Sequence, residues 1–212
     1  MEIVWLGHSC FRIKGREVTI LTDPFDRTLG YPVKKVAPTI VTVSHDHPAH
    51  SCVADFTDGC RVVRRPGEYE ISNVFITGVP TFHDDECGAV RGKNTAYIMQ
   101  MENVSICHLG DLGHVPTGEQ MEQMSNIDVL MVPVGGGCTL DARGAVETIR
   151  LLEPRMAIPM HYKTDVVRKD LEPLDGFLKE MGLKEVALQP KLTVTSSGLP
   201  DHTTVALLDY WR

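Results

Sequence analysis

The chain has 212 residues, 42% of them hydrophobic and 23% charged, which argues against a disordered chain and suits one domain of ordinary size. A formal charge of −7 argues against a protein that grips nucleic acid over a broad surface. Cysteines at 10, 52, 60, 87, 107 and 138 form no CxxC pair, so reduced thiols in a cytoplasmic protein are expected rather than a disulfide or zinc-finger framework.

At the start, MEIVWLGHSCF lacks a basic segment leading into an apolar run, and no secretory signal is expected. Nor does any apolar run approach membrane-spanning length, so no membrane partner is expected. Strands are predicted at Glu2–Leu6, Cys10–Ile13 and Val18–Leu21, separated by Gly7 and Gly15. An irregular loop opens at Asp23-Pro24 and leads to a short buried strand, Ile40–Val43. Further β-type runs fall at Arg61–Val63, Val74–Gly78, Thr95–Met101 and Val104–His108. Thr117 is placed to cap a helix running to Met124, Asp141–Leu152 is a stronger helix stopped by Pro154, and Asp170–Met181 is a third. Val129–Val132, Met156–Pro159, Leu192–Thr195 and Thr203–Leu208 read as strands. No repeat or linker divides residues 1–212, and strands followed by alternating helices and strands imply helices outside two sheets.

The chemistry gathers after the Ile40–Val43 strand, in SHDHPAHS. His45 and His47 are two apart, so both rings can project to one side of an extended segment. His50 follows Pro48, which favours a turn. Three imidazoles so close suit zinc, iron, manganese or nickel, against the bland alternative of a polar loop that happens to hold histidines. His83, Asp111 and His161 stand after other β-type runs, where a layered fold places site residues on loops held by a rigid scaffold.

In this order and spacing these residues resemble the metallo-β-lactamase superfamily, and within it the small hydrolases similar to L-ascorbate-6-phosphate lactonase. Supporting words are WLGHSCFRI, TDPF, SHDHPAH, RGKNTAYI, HLGDLGH, PVGGGCTLDA and IPMHYKT, spread over nearly the whole chain. The resemblance implies a four-layer αββα sandwich carrying a divalent ion, zinc or manganese, at one edge. It places His45, His47 and His83 at a first metal site, His50 and His161 at a second, and Asp111 between them. One departure stands out: Ala49 occupies the position of an aspartate that helps bind the second ion in the family's HxHxDH pattern. One tight ion and a weak or absent second are therefore expected, with Asp46, Asp84 or Glu86 as carboxylates able to compensate.

The implied reaction is hydrolysis of a small, anionic ester or lactone by metal-activated water, with Asp111, His50 and His161 catalytic and no side-chain nucleophile. Substrate contacts are expected from the Gly135, Gly136 and Gly137 loop, from Lys93 and Lys163, and from His8. Arg91 could add further positive charge. For His8 the alternative is a turn-fixing hydrogen bond, and for the lysines solvated surface charge. Asp23 reads as a loop organiser and an acceptor for ligand histidines. His108 is expected to be structural, His114 an exposed loop histidine and His202 surface. Cys10 and Cys138 read as ordinary thiols. Two other readings compete: phosphodiester cleavage of the nuclease type, and a metal-binding protein whose catalysis decayed when Ala49 arose. A homo-oligomer is compatible with all three.

Overall fold

The computed structural model describes residues 1–33, 35–56 and 59–210. Two mixed sheets carry the fold. The first comprises β1 (Glu2–Gly7), β2 (Cys10–Lys14), β3 (Thr19–Thr22), β4 (Ile40–Thr42) and β5 (Arg61–Val63), with β13 (Leu192–Thr193) outside β1. β1, β2 and β3 form an antiparallel meander, after which β4 and β5 join in parallel.

The second sheet has seven strands. An antiparallel meander of β6 (Gly67–Ile71), β7 (Val74–Phe82), β8 (Lys93–Met101) and β9 (Val104–His108) continues into parallel β10 (Val129–Pro133), β11 (Met156–Met160) and β14 (Thr204–Val205). A small pair, β12 (Leu188–Gln189) and β15 (Leu207–Leu208), stands apart.

Cross-strand register explains why the sheets close on one another. Ile3, Ile13, Ile20 and Ile40 are successive neighbours across β1 to β4, and all are fully buried. Ile76, Met99, Ile106 and Val129 form a matching row across β7 to β10. Both rows belong to one hydrophobic core. Each such side chain contributes about 1.5–3 kcal/mol by leaving water. The result is an α/β sandwich.

The helices follow their end signals. In α1 (Gly118–Gln123) Thr117 and Gln120 form a reciprocal capping box, and Asp141 caps α2 (Ala142–Leu152) by accepting from Gly144 N at 2.8 Å. α3 is Leu174–Glu180, four residues later than the predicted start. The residue before a proline is driven out of the helical region, so the chain ahead of Pro173 runs extended and pairs with Lys163. α1 packs on β7, α2 on β10, and α3 on α2.

On the first sheet the outward-facing Leu6, Cys10 and Leu21 are covered by irregular chain. Phe25, Val33 and Val36 and the turn at Phe56 line an apolar cavity of about 150 Å³ with them. No helix among the described residues is long and apolar enough to cross a membrane.

Candidate metal centre

The residues singled out from the sequence come together at one edge, each just beyond the C-terminal end of a strand. β1 delivers His8, β3 Asp23, β4 His45 to His50, β7 His83, β9 Asp111 and β11 His161. The backbone bends sharply to aim them. His8, Asp23 and His161 have φ values of 53°, 39° and 54°, in the left-handed region that costs a non-glycine residue about 1–3 kcal/mol. Gly110 (φ 59°) precedes Asp111, and a Cβ there would lie 2.5 Å from both Asn94 Oδ1 and Ser44 Cβ.

Asp111 Oδ2 is the centre of the cluster. His50 Nε2 lies 3.0 Å from it, His83 Nε2 and His161 Nε2 3.3 Å, and His45 Nε2 4.0 Å. Asn94 Oδ1 accepts from Asp111 N at 3.0 Å and fixes its position. Burial opposes ionisation of Asp111, but the charges of His161 and His50 hold its carboxyl well below the usual range.

A second buried carboxylate, Asp23, orients the rings. Its Oδ2 accepts from His50 Nδ1 at 3.0 Å and from Ser44 Oγ at 2.6 Å, while Oδ1 accepts from Ser44 N at 2.7 Å. The Ser44 hydroxyl in turn accepts from His45 Nδ1 at 3.0 Å. His83 Nδ1 donates to Cys138 O at 2.8 Å. With their Nδ1 protons placed, His45 and His83 present Nε2 lone pairs to the centre, and His50 does so once its Nε2 proton leaves. Outer acceptors commonly fix metal-binding imidazoles this way.

Whether the site suits a cation follows from what remains unpaired. The buried nitrogens His45 Nε2, His161 Nδ1 and both ring nitrogens of His8 have no hydrogen-bond partner, and His50 Nε2 and His161 Nε2 face only the Asp111 carboxylate. A buried polar atom without a partner costs about 1–3 kcal/mol, so this many in one place mark a site built to ligate. Three groups bring their ligand atoms within 4.8 Å of one another: His8, His50, Asp111 and His161; His45, His47 and His50; and His45, His83 and Asp111. His45, His47 and His83, taken together from the sequence, are thus split between two groups. His47 is exposed, and its Nδ1 accepts from Ala49 N at 3.1 Å.

Titration tells the same story. Burial takes the His45 pKa down to about 4 and His8 well below its usual value. Burial also acts against a proton on His50, but Asp111 and Asp23 outweigh it and raise the pKa to about 9. A cation therefore competes with a proton at His50, and its binding releases that proton.

Of the remaining candidates, Gly135 packs directly against His161, where an added Cβ would lie 2.1 Å from His161 O. Lys163 Nζ donates to Val167 O and Lys169 O, and Lys93 is exposed at the start of β8. The cation whose charge reaches His8, His47 and Cys138 is Lys169, which sequence reasoning missed because nothing local marks it; Arg91 also acts on Cys138. Within the glycine loop Gly136 N donates to Leu140 O, and Cys138 N and Thr139 N donate to Gly136 O, so these amides do not face a ligand.

His108 Nε2 donates to Ser9 O at 2.7 Å, a structural bond. His114 is half-buried, where exposure was expected, because Nδ1 donates to Val115 O and Nε2 accepts from Phe82 N. His202 is exposed. Burial raises the Cys10 and Cys138 thiols above their usual range, which leaves them poor nucleophiles.

A sandwich with strand ends converging on histidines and one central carboxylate is the architecture of a metal-dependent enzyme, and the relatives make it a hydrolase. Residues 2–161 match the family model of the beta-lactamase superfamily domain, and the chain belongs to that superfamily. It is 31% identical over 212 residues to a UPF0173 metal-dependent hydrolase of Thermoplasma acidophilum, covering 86% of this chain and 92% of that one. A Thermotoga maritima structure, assigned as a Zn-dependent hydrolase of the metallo-β-lactamase superfamily, is 38% identical with a TM-score of 0.80 over 98% of this chain and 97% of that one. Igni18, a metallo hydrolase of Ignicoccus hospitalis, shares the fold at 20% identity, with a TM-score of 0.68 over 92% of this chain and 99% of that one.

Proposed function

We propose that residues 1–212 act as one hydrolase unit on a small anionic ester or lactone, of the sugar-phosphate lactone class, with zinc or manganese as the ion. The observation that carries the reading is the set of buried imidazole nitrogens that converge on Asp111 Oδ2 with no partner but that carboxylate. A divalent ion bound there would act as a Lewis acid and bring the pKa of water from 15.7 to about 7. His45 and His83, grouped with Asp111, hold the tighter ion with His47 as a further ligand beside His45, and the second position, without a carboxylate at Ala49, is weaker.

Asp111 is ionised at neutral pH and accepts a hydrogen bond from the attacking water, which fixes its approach. His50 and His161, 3.0 and 3.3 Å from Asp111 Oδ2, steady that carboxylate. Water oxygen bonds to the acyl carbon, the ester C–O bond breaks, and the leaving oxygen takes the proton. Lys169 and Arg91 favour a negatively charged substrate at the mouth. The acidic balance of the chain disfavours RNA as substrate.

Hydrolysis of sugar-phosphate lactones, phosphodiesters and neutral esters by the metal-loaded protein tests this. Turnover of the anionic lactones, with competitive inhibition by inorganic phosphate, is expected. Preference for phosphodiesters, or equal rates on neutral and anionic esters, would overturn it.

A further inference from the structure

His8 is the residue the reaction above leaves without a task. Its side chain is fully buried, neither ring nitrogen has a hydrogen-bond partner, and it sits at the site rather than in apolar core. Its ring lies 4.1 Å from that of His161 and 5.0 Å from that of His50, centroid to centroid. The turn that places it is over-determined: Trp5 Nε1 donates to His8 O at 2.9 Å and His161 N to the same oxygen at 3.2 Å, at a left-handed φ of 53°. Strain and two orphaned nitrogens in one residue describe a side chain held for a ligand.

The carboxylates able to replace the missing one at position 49 are committed elsewhere. Asp46 is exposed and accepts from Ser51 Oγ, and Glu86 is exposed. Asp84 is filled by the backbone amides of Glu86, Gly88, Val90 and Arg91. Ala49 itself is a buried methyl. That leaves the group of His8, His50, His161 and Asp111, whose ligand atoms lie within 4.8 Å of one another.

We infer that His8 is a metal ligand, completing with His50, His161 and Asp111 a second cation site of three imidazoles and one carboxylate. The inference rests on reading this cluster as a metal centre. Its chemistry differs from a site with two carboxylates: one negative charge is gone and a neutral nitrogen takes its place. Imidazole-rich sets favour Zn²⁺, Co²⁺ and Ni²⁺, whereas Mn²⁺ and Mg²⁺ prefer oxygen. The second site is accordingly weak for manganese and well filled by zinc or cobalt.

Titrating Co²⁺ into metal-free protein, followed by calorimetry and visible absorption, tests this without an activity readout. Wild type should take up two equivalents. His8→Asn, chosen because asparagine tolerates a positive φ, should weaken the second equivalent by about 100-fold and leave the first within about threefold. Adding Ala49→Asp to His8→Asn should restore the second. Unchanged second-equivalent affinity and spectrum in His8→Asn would overturn the inference, whereas failure of the wild type to bind any metal would overturn the reading of the whole site. Should His8→Asn not fold, ¹⁵N-histidine spectra of the wild type decide instead. A coordination shift of a His8 ring nitrogen with the second Zn²⁺ equivalent supports the ligand role, and its absence refutes it.

Discussion

Replacing Asp23 by asparagine changes almost nothing in shape and a great deal in hydrogen bonding. The side-chain oxygen can still accept from Ser44 N, now at 2.7 Å. The new amide faces Ser44 Oγ and His50 Nδ1, which both donate in the native protein. An amide N–H cannot accept, so the neutral His50 that a cation needs is driven to the other tautomer, offering its Nδ1 lone pair to asparagine and turning an Nε2 proton toward Asp111. The ring then has no lone pair for a cation.

Hydrogen bonds to a buried charge contribute about 1.5–3 kcal/mol each, and two are lost or inverted, so about 3–6 kcal/mol of metal-free stability should go. For a chain of this size that is a fall in Tm of about 6–24 °C. Metal affinity should drop about 10–100-fold, the usual cost of losing an outer acceptor. Differential scanning calorimetry of metal-free protein and calorimetric zinc titration read the two effects separately. A lower Tm with wild-type zinc affinity would refute the tautomer argument and leave Asp23 a purely structural group.

Metal-free stability should peak near pH 6.5. The folded-state pKa of His45 is depressed to about 4, so its contribution is lost as pH falls from the unfolded value of 6.5 toward 4; that of His50 is raised to about 9, so its contribution is lost as pH rises from 6.5 toward 9. Each shift corresponds to roughly 3 kcal/mol, and a flat Tm profile between pH 4 and 9 would contradict both. Gly110→Ala should destabilise the fold by about 2 kcal/mol or more, from its positive φ and a Cβ forced against Asn94 and Ser44, as denaturant unfolding would register. Lys169→Ala should raise KM several-fold for anionic substrates and not for neutral ones, with Lys163→Ala neutral by comparison; the reverse pattern in steady-state kinetics would restore Lys163 to the substrate site.

Much of the fold could be read ahead because its strands are apolar and its helices carry caps. β1 to β4, β8 to β11 and α2 lie within a residue or two of the predicted positions. β6, with the sequence GEYEI, escaped because it is a largely exposed edge strand without an apolar alternation. β7 runs on to Phe82 through Gly78 and Pro80, residues that read as punctuation. The final strand splits at Ala206, since β14 pairs with β11 and β15 with β12, a change of partner that no local pattern announces. At the site, histidines close in sequence were visible as a cluster. The buried position of His8 against His161 was not, because it depends on two strand ends 153 residues apart meeting. Lys169 is hidden for the same reason.

Where a helix would insulate the first sheet from the chemistry, this chain uses the irregular segment that begins at Asp23. Among the residues that seal the outer face, Phe25 stands two positions after the carboxylate that aims His45 and His50. Packing at Phe25 therefore bears on the backbone that positions Asp23. An enlarged cavity at Phe25 would register as weaker cation uptake before it registered as unfolding, so selection on activity also polices this remote stretch of hydrophobic surface.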